Sequence, residues 1–261
     1  MFTSLERELP TIGPETVAKI GNFPIANSTL MILLIAVIIV IFYFVVARRF
    51  KNSPGKGQGF LELMYEAMVS FIDQITGNKR RTNILEYTIA TVFIFIGISN
   101  LISFIPGITS FTVGHVPMFR APTADFNTTF TLALVGLLVI QYISIKEWGI
   151  FAYAGKYFKF KELYHGFRKG LKPGVSALIE FGIGLLDIIG DAAKIISLSL
   201  RLFGNIFAGE VLAVIILGSL AWAAPAVWTS FGVLVGVIQA MVFGALLSAY
   251  YMLAIKPDEV K

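Results

Sequence analysis

From Met31 to Ala47 every residue is hydrophobic. A helix over such a run rises about 1.5 Å per residue and, with its flanks, crosses the roughly 30 Å hydrocarbon layer of a bilayer. No water reaches that layer to satisfy a backbone, so a lone spanning segment must close its hydrogen bonds within itself, as a helix does. Four further apolar regions follow, and the chain reads as an all-α integral membrane protein with five transmembrane crossings. Composition agrees: 56% of the 261 residues are hydrophobic and only 14% are charged, with mean hydropathy +0.79, where a soluble domain carries about a quarter charged residues. The net charge of +5 does not point to nucleic acid, because the bases cluster beside apolar runs, where they orient a membrane protein. Cysteine is absent, which excludes disulfides and thiolate metal sites.

The spacing places the first span at 28–50, the second at 84–106 and the third at 126–147. A helical hairpin over 174–255, strongly tilted in the membrane, supplies the last two. Residues 1–27 contain Glu6, Glu8 and Glu15 and lack the basic start and apolar core of a secretory signal, so they read as an external N-terminal segment. Between the first two spans, Phe60, Leu63, Met64, Ala67, Met68, Phe71, Ile72 and Ile75 recur at three-and-four spacing opposite Glu62, Glu66, Asp73 and Gln74. That pattern predicts an interfacial amphipathic helix over 58–76. Residues 148–173 read as a basic inner loop. Lys and Arg crowd the ends at Arg48–Lys56, Lys79–Arg81 and Lys146–Lys172, whereas Arg120 is the only one between Gly107 and Asp125. The positive-inside rule therefore sets the N-terminus outside and the C-terminus inside. The hairpin is too long for an upright crossing, so it either breaks at a glycine such as Gly182, Gly190 or Gly204, or tilts.

Within the hairpin, Glu180, Asp187, Lys194 and Arg201 recur every seven residues. At about 100° per residue each lies within roughly 20° of the last. Asn205 follows Arg201 by one turn on the same face, Glu210 lies on the other side, and Gln239 interrupts the apolar stretch of the partner helix. Asn205 and Gln239 could be interhelical amide links, and Lys194 could form a local ion pair with Asp191 or Asp187. Ser197 and Ser199 suit close helix packing. Arg201 is different: at mid-membrane an arginine costs about 2.5–3.5 kcal/mol on insertion scales, and it cannot shed its proton. Charges so placed mark ion pathways.

The segment Ser197–Glu210, S-L-S-L-R-L-F-G-N-I-F-A-G-E, closely resembles the signature of subunit a of F-type ATP synthases. Further stretches are similar in order along the chain: Gly21-Asn-Phe-Pro-Ile, Asn100-Leu-Ile-Ser-Phe-Ile-Pro106, Pro122-Thr-Ala-Asp125-Phe-Asn127-Thr-Thr and Gln239-Ala240. The resemblance implies a non-catalytic, proton-translocating stator subunit with two aqueous half-channels. It implies that Arg201 faces the carboxylates of a rotating ring of subunit c, flanked by Asn205 and Gln239. Glu210, Asn100, Asp125 and Asn127 would line the outer half-channel, Asp187 and Ser197 the inner one. The implied partners are the c-ring, the peripheral stalk subunit b, membrane lipid and protons. No cofactor, metal or nucleic acid is expected. The implied location is a bacterial cell membrane with the C-terminus cytoplasmic.

Two departures bear on the outer path. Gly232 stands where some members carry a histidine that pairs with the outer acid, and Ser103 where some carry Asp. Sodium coupling of the same subunit is the alternative ion choice. An unrelated secondary transporter is disfavoured by the lack of an inverted repeat, and a mere anchor by Arg201 itself. The chain carries no G-x-x-x-x-G-K-[ST] nucleotide loop.

Overall fold

The computed structural model describes residues 11–50, 55–105, 108, 111–113, 116–219 and 223–255. A short antiparallel hairpin opens them, β1 (Thr16–Ile20) with β2 (Phe23–Ala26). It turns at Gly21, whose φ of 62° is accessible to glycine at little cost. Eight helices follow. The first, α1 (Asn27–Arg49), closes on Arg48 and Arg49, whose cations suit a helix C-terminus. Next comes α2 (Lys56–Thr76), ended by Gly77 in the left-handed region. Then α3 (Lys79–Ser103) begins at Asn78, whose side chain accepts from the Arg80 N–H. A minimal pair, β3 (Thr112–Val113) and β4 (Val116–Pro117), and a single 3-10 turn, Pro122–Ala124, lead to α4 (Phe126–Trp148).

Five helices are long and apolar enough to cross a membrane: α1, α3, α4, α7 (Leu171–Ser219) and α8 (Ala223–Ala254). The protein is therefore the all-α, five-span membrane protein expected. Of the two options for the long hairpin, α7 does not break: its 49 residues form one helix. The 45-residue apolar part measures about 67 Å, so it fits within a 30 Å layer only if it leans by more than about 60°. The expected stop at Pro106-Gly107, residues 1–10 of the N-terminal segment and the C-terminal 256–261 lie outside the described residues.

One reading of the sequence is corrected. Residues 148–173 are not a loop but chiefly two short helices, α5 (Ile150–Tyr157) and α6 (Phe160–Lys169), set off by Gly149 and Gly170 at positive φ. The bases drew attention to charge, while Phe160, Leu163, Tyr164 and Phe167 keep helical spacing beneath them. Gly166 packs against Ala177, and Gly174 against Phe167, so α6 doubles back along the start of α7.

The main core joins α3, α4, α7 and α8. Leu85, Ile89, Val92 and Ile96 present one face of α3 to Ala240, Phe243, Leu247 and Tyr251 of α8, with Ala133, Ile140, Leu198 and Leu202 closing the sides. A stripe of small residues on α8, namely Gly232, Gly236, Ala240 and Gly244, lets α3 come close. On α2, Ile72 is buried in this core, and Phe60, Leu63 and Met64 stay exposed on the apolar face.

Candidate functional site

Leu198, Leu202 and Ile206 are the buried side of α7, at one-turn spacing. Turned away from them, Ser197, Leu200, Arg201, Asn205 and Ala208 are exposed. The sequence periodicity dictates this geometry, since the core can take only one face of a single straight helix. Arg201 makes no hydrogen bond or ion pair among the described residues. Helices α4, α5, α6 and α8 pack against this helix and still leave the Arg201 side chain exposed.

One turn along, Asn205 Nδ2 donates to Gln239 Oε1 at 2.7 Å, tying α7 to α8. Gln239 is 3% exposed, and its Nε2 has no partner among the described residues. The structure thus brings Asn205 and Gln239 together, next to Arg201 but not bonded to it.

The seven-residue charge stripe does not act as a unit. Glu180 lies 4.0 Å from Lys159. Lys194 donates to Asp191 Oδ1 at 2.6 Å and sits over the Tyr250 ring, so its partner is Asp191 rather than Asp187. Asp191 Oδ2 also accepts from Tyr157 at 2.7 Å and from Gln141 at 3.4 Å, and Tyr153 meets Tyr157 hydroxyl to hydroxyl at 3.0 Å. A cavity of about 320 Å³ opens beside this cluster, between α4, α5 and α7. On α5, burial holds the Lys156 ammonium below the ordinary lysine range. Burial, then the hydrogen bonds to Tyr153 and Asp191, pushes the Tyr157 phenol well above the usual tyrosine range. Asp187 remains exposed and makes no hydrogen bond or ion pair among the described residues, like Ser197.

At the other end, Asp125 is buried and caps α4. It accepts from Asn127 N at 3.0 Å, Ser28 Oγ at 2.7 Å and Thr128 Oγ1 at 3.4 Å. The side chain of Asn127 is exposed. Asn100 is fully buried, with Nδ2 on Gly236 O at 3.0 Å and Oδ1 without a partner among the described residues. Ser99 Oγ and Thr123 Oγ1 are likewise buried and unsatisfied. Glu210 is half-buried. A Cβ on Gly232 would clash with the edge of the Phe104 ring, so that ring occupies the space a side chain at 232 would need.

Several of these groups were not singled out from the sequence. Tyr157, Gln141 and Ser28 join the polar clusters only through long-range contacts. Arg120 was noted as the lone cation of its loop, and that isolation was a usable signal. It is 8% exposed and bonded four times. The stripe at 232, 236, 240 and 244 was legible as a period of four.

Comparison with known proteins adds the following. Residues 29–252 match a family model described as ATP synthase A chain. A protein named ATP synthase subunit a from Desulforamulus reducens is 34% identical over 206 residues, covering 76% of this chain and 67% of that one. Its namesake from Staphylococcus epidermidis is 30% identical over 236 residues, 86% of this chain and 88% of its own. That from Syntrophobacter fumaroxidans is 30% identical over 250 residues, 95% and 92% of the two chains.

Proposed function

The chain belongs to the ATP synthase A chain family, and on that footing we propose that it is the proton-translocating stator subunit of a rotary F-type ATP synthase. The observation that carries this reading is Arg201: exposed on an uncovered helix face, permanently charged, and without a partner among the described residues. A guanidinium so placed needs an anion from another chain. The carboxylates of a rotating c-ring would supply one after another. Opposite charge favours the ionised, proton-releasing form of each carboxyl group as it arrives. The same fixed charge opposes proton passage along α7 and keeps two aqueous half-channels apart.

Glu210, Asn100, Asp125 and Asn127 belong to the outer half-channel in this reading. The unsatisfied buried atoms Asn100 Oδ1 and Thr123 Oγ1 support it, since buried polar atoms without protein partners are where ordered water sits. Asp187 and Ser197 belong to the inner half-channel, and both are exposed on the side of α7 that carries Arg201. Asn205 and Gln239 keep α7 and α8 in register beside the arginine. The subunit performs no chemistry on ATP. It couples proton flow, worth about 2.3 kcal/mol per charge per 100 mV, to rotation. In a bacterial cell membrane the subunit would meet the c-ring, stalk subunit b and lipid, and the bases beside Arg49, Lys79 and Lys146 support an N-terminus outside and a C-terminus in the cytoplasm.

The test exploits the absence of native cysteine. A Leu200→Cys chain in the assembled complex should form an oxidative cross-link to a cysteine placed beside the ring carboxyl group, and the link should stop rotation. In liposomes, a proton gradient in sodium-free medium should drive ATP synthesis. No cross-link at this face overturns the placement of Arg201, and synthesis that requires a sodium gradient overturns the choice of ion.

A further inference from the structure

Arg120 is a buried charge that the proposed proton path leaves unused. Its Nη2 donates to Thr11 O at 2.6 Å and to Ala124 O at 3.2 Å, its Nη1 to Gly13 O at 2.7 Å and to Thr11 Oγ1 at 3.3 Å. All four acceptors are neutral. No carboxylate of the described residues lies within ion-pair distance of it. Carbonyl groups orient a guanidinium but do not cancel its charge, and a buried charge without a counter-charge is strongly destabilising.

The packing identifies the counter-charge. Arg120 leads into Ala121 and the Pro122–Ala124 turn, and Ala121 and Ala124 form a buried cluster with Ile206 of α7. Glu210 is one helical turn beyond Ile206 and on the same face. The loop that holds Arg120 therefore lies against the part of α7 that carries Glu210, and Arg120 is the one Lys or Arg of that loop. The other acids of this corner are engaged elsewhere. Asp125 serves the start of α4 and Ser28, and Glu15 reaches Arg120 only through the Thr11 hydroxyl, which stands between them at 3.3 Å from each.

The geometry points to Arg120 as the fixed counter-charge of Glu210, a positioning residue that the N-terminal segment holds over the outer proton path. The carbonyls of Thr11 and Gly13 turn a loop arginine into an immobile charge, and that charge sets how readily Glu210 takes up and passes on a proton. The inference rests on the outer-channel role of Glu210 proposed above and adds to it a partner and a part for the N-terminal segment.

The experiment is a double-mutant cycle in the assembled complex, read as ATP-driven acidification of inverted membrane vesicles and normalised to the amount of assembled subunit. Arg120→Gln should lower the rate about tenfold with Glu210 present, and less than about twofold in a Glu210→Gln background, because contacting residues are non-additive. Arg120→Lys, which keeps the charge but loses the four-way fork, should cost about threefold, again only with Glu210 present. Equal losses in the two backgrounds overturn the pairing and leave Arg120 a structural anchor. If Arg120→Gln fails to assemble, Arg120→Lys decides alone: an equal loss in both backgrounds, or no loss in either, overturns the proposal. A Glu210→Gln enzyme that pumps at the unsubstituted rate instead removes Glu210 from the outer path, which is the failure of the proposed function and a separate result.

Discussion

Arg201→Ala tests whether this arginine serves another chain rather than its own. Arg201 is exposed and has no bond to lose among the described residues. Its removal breaks no contact within the subunit and takes away a charge that the membrane disfavours, so the subunit should still fold and assemble in normal amount. The functional loss should be of another order. A guanidinium about 4 Å from a carboxylate at an effective dielectric constant of about 20 is worth about 4 kcal/mol. At about 1.4 kcal/mol per pK unit that is a change of about a thousandfold in the ionised fraction of each arriving carboxyl group. Proton-driven ATP synthesis in vesicles should fall below about 1% of the unsubstituted rate, with the complex assembled in normal amount. Arg201→Lys should also lose most activity, because an ammonium in a desolvated interface can surrender its proton and a guanidinium cannot. Normal coupled synthesis by the alanine variant would refute the electrostatic role. Loss of assembly would refute the premise that the side chain has no partner within the subunit.

Three other perturbations have expected outcomes. Gly232→Ala drives a methyl group against the edge of the Phe104 ring and should cost about 1–3 kcal/mol by overpacking. It should be read as a lower temperature of heat-induced dissociation, and Phe104→Ala should restore it; an unchanged temperature would contradict the close approach of α3 and α8. Gln239→Leu removes the acceptor of Asn205 Nδ2 but also an unsatisfied buried amide, so these opposed effects should leave stability within about 1 kcal/mol. Synthesis should fall far less than for Arg201→Ala, and an equal fall would show that the amide pair does more than hold two helices. Tyr157 has its pKa raised by burial and by its bonds to Tyr153 and Asp191. The stabilisation linked to its neutral form is complete below the ordinary tyrosine value of about 10 and is lost as pH rises through the higher folded value. The advantage of the unsubstituted protein over Tyr157→Phe in thermal dissociation should thus be largest at neutral pH and shrink above about pH 10; a pH-independent difference would contradict the buried hydroxyl.

The spans, the amphipathic α2 and the helix face that carries Arg201 were legible in the chain itself. Each follows from hydrophobic runs or helical periodicity, and the solvent of a membrane protein enforces those locally. The motif around Arg201 was legible for the same reason, since it lies within one helix. Residues brought together from distant elements were not. Asp191, Tyr157 and Gln141 come from α7, α5 and α4, and only packing brings them together. Packing likewise gives Asp125 its partners, the start of α4 and Ser28, and gives Lys194 to Asp191 rather than Asp187. Residues 148–173 were misread because their charge was more visible than their short helical period.

What the sequence alone determined, then, was which segments enter the membrane and which face of α7 carries a permanent charge. Only the tertiary structure decided that this face stays uncovered, that α7 runs unbroken, and that Arg120 is anchored against the same helix as Glu210. The division is physical. Burial of an apolar run is a property of the run, whereas the partner of a charge depends on which other elements reach it.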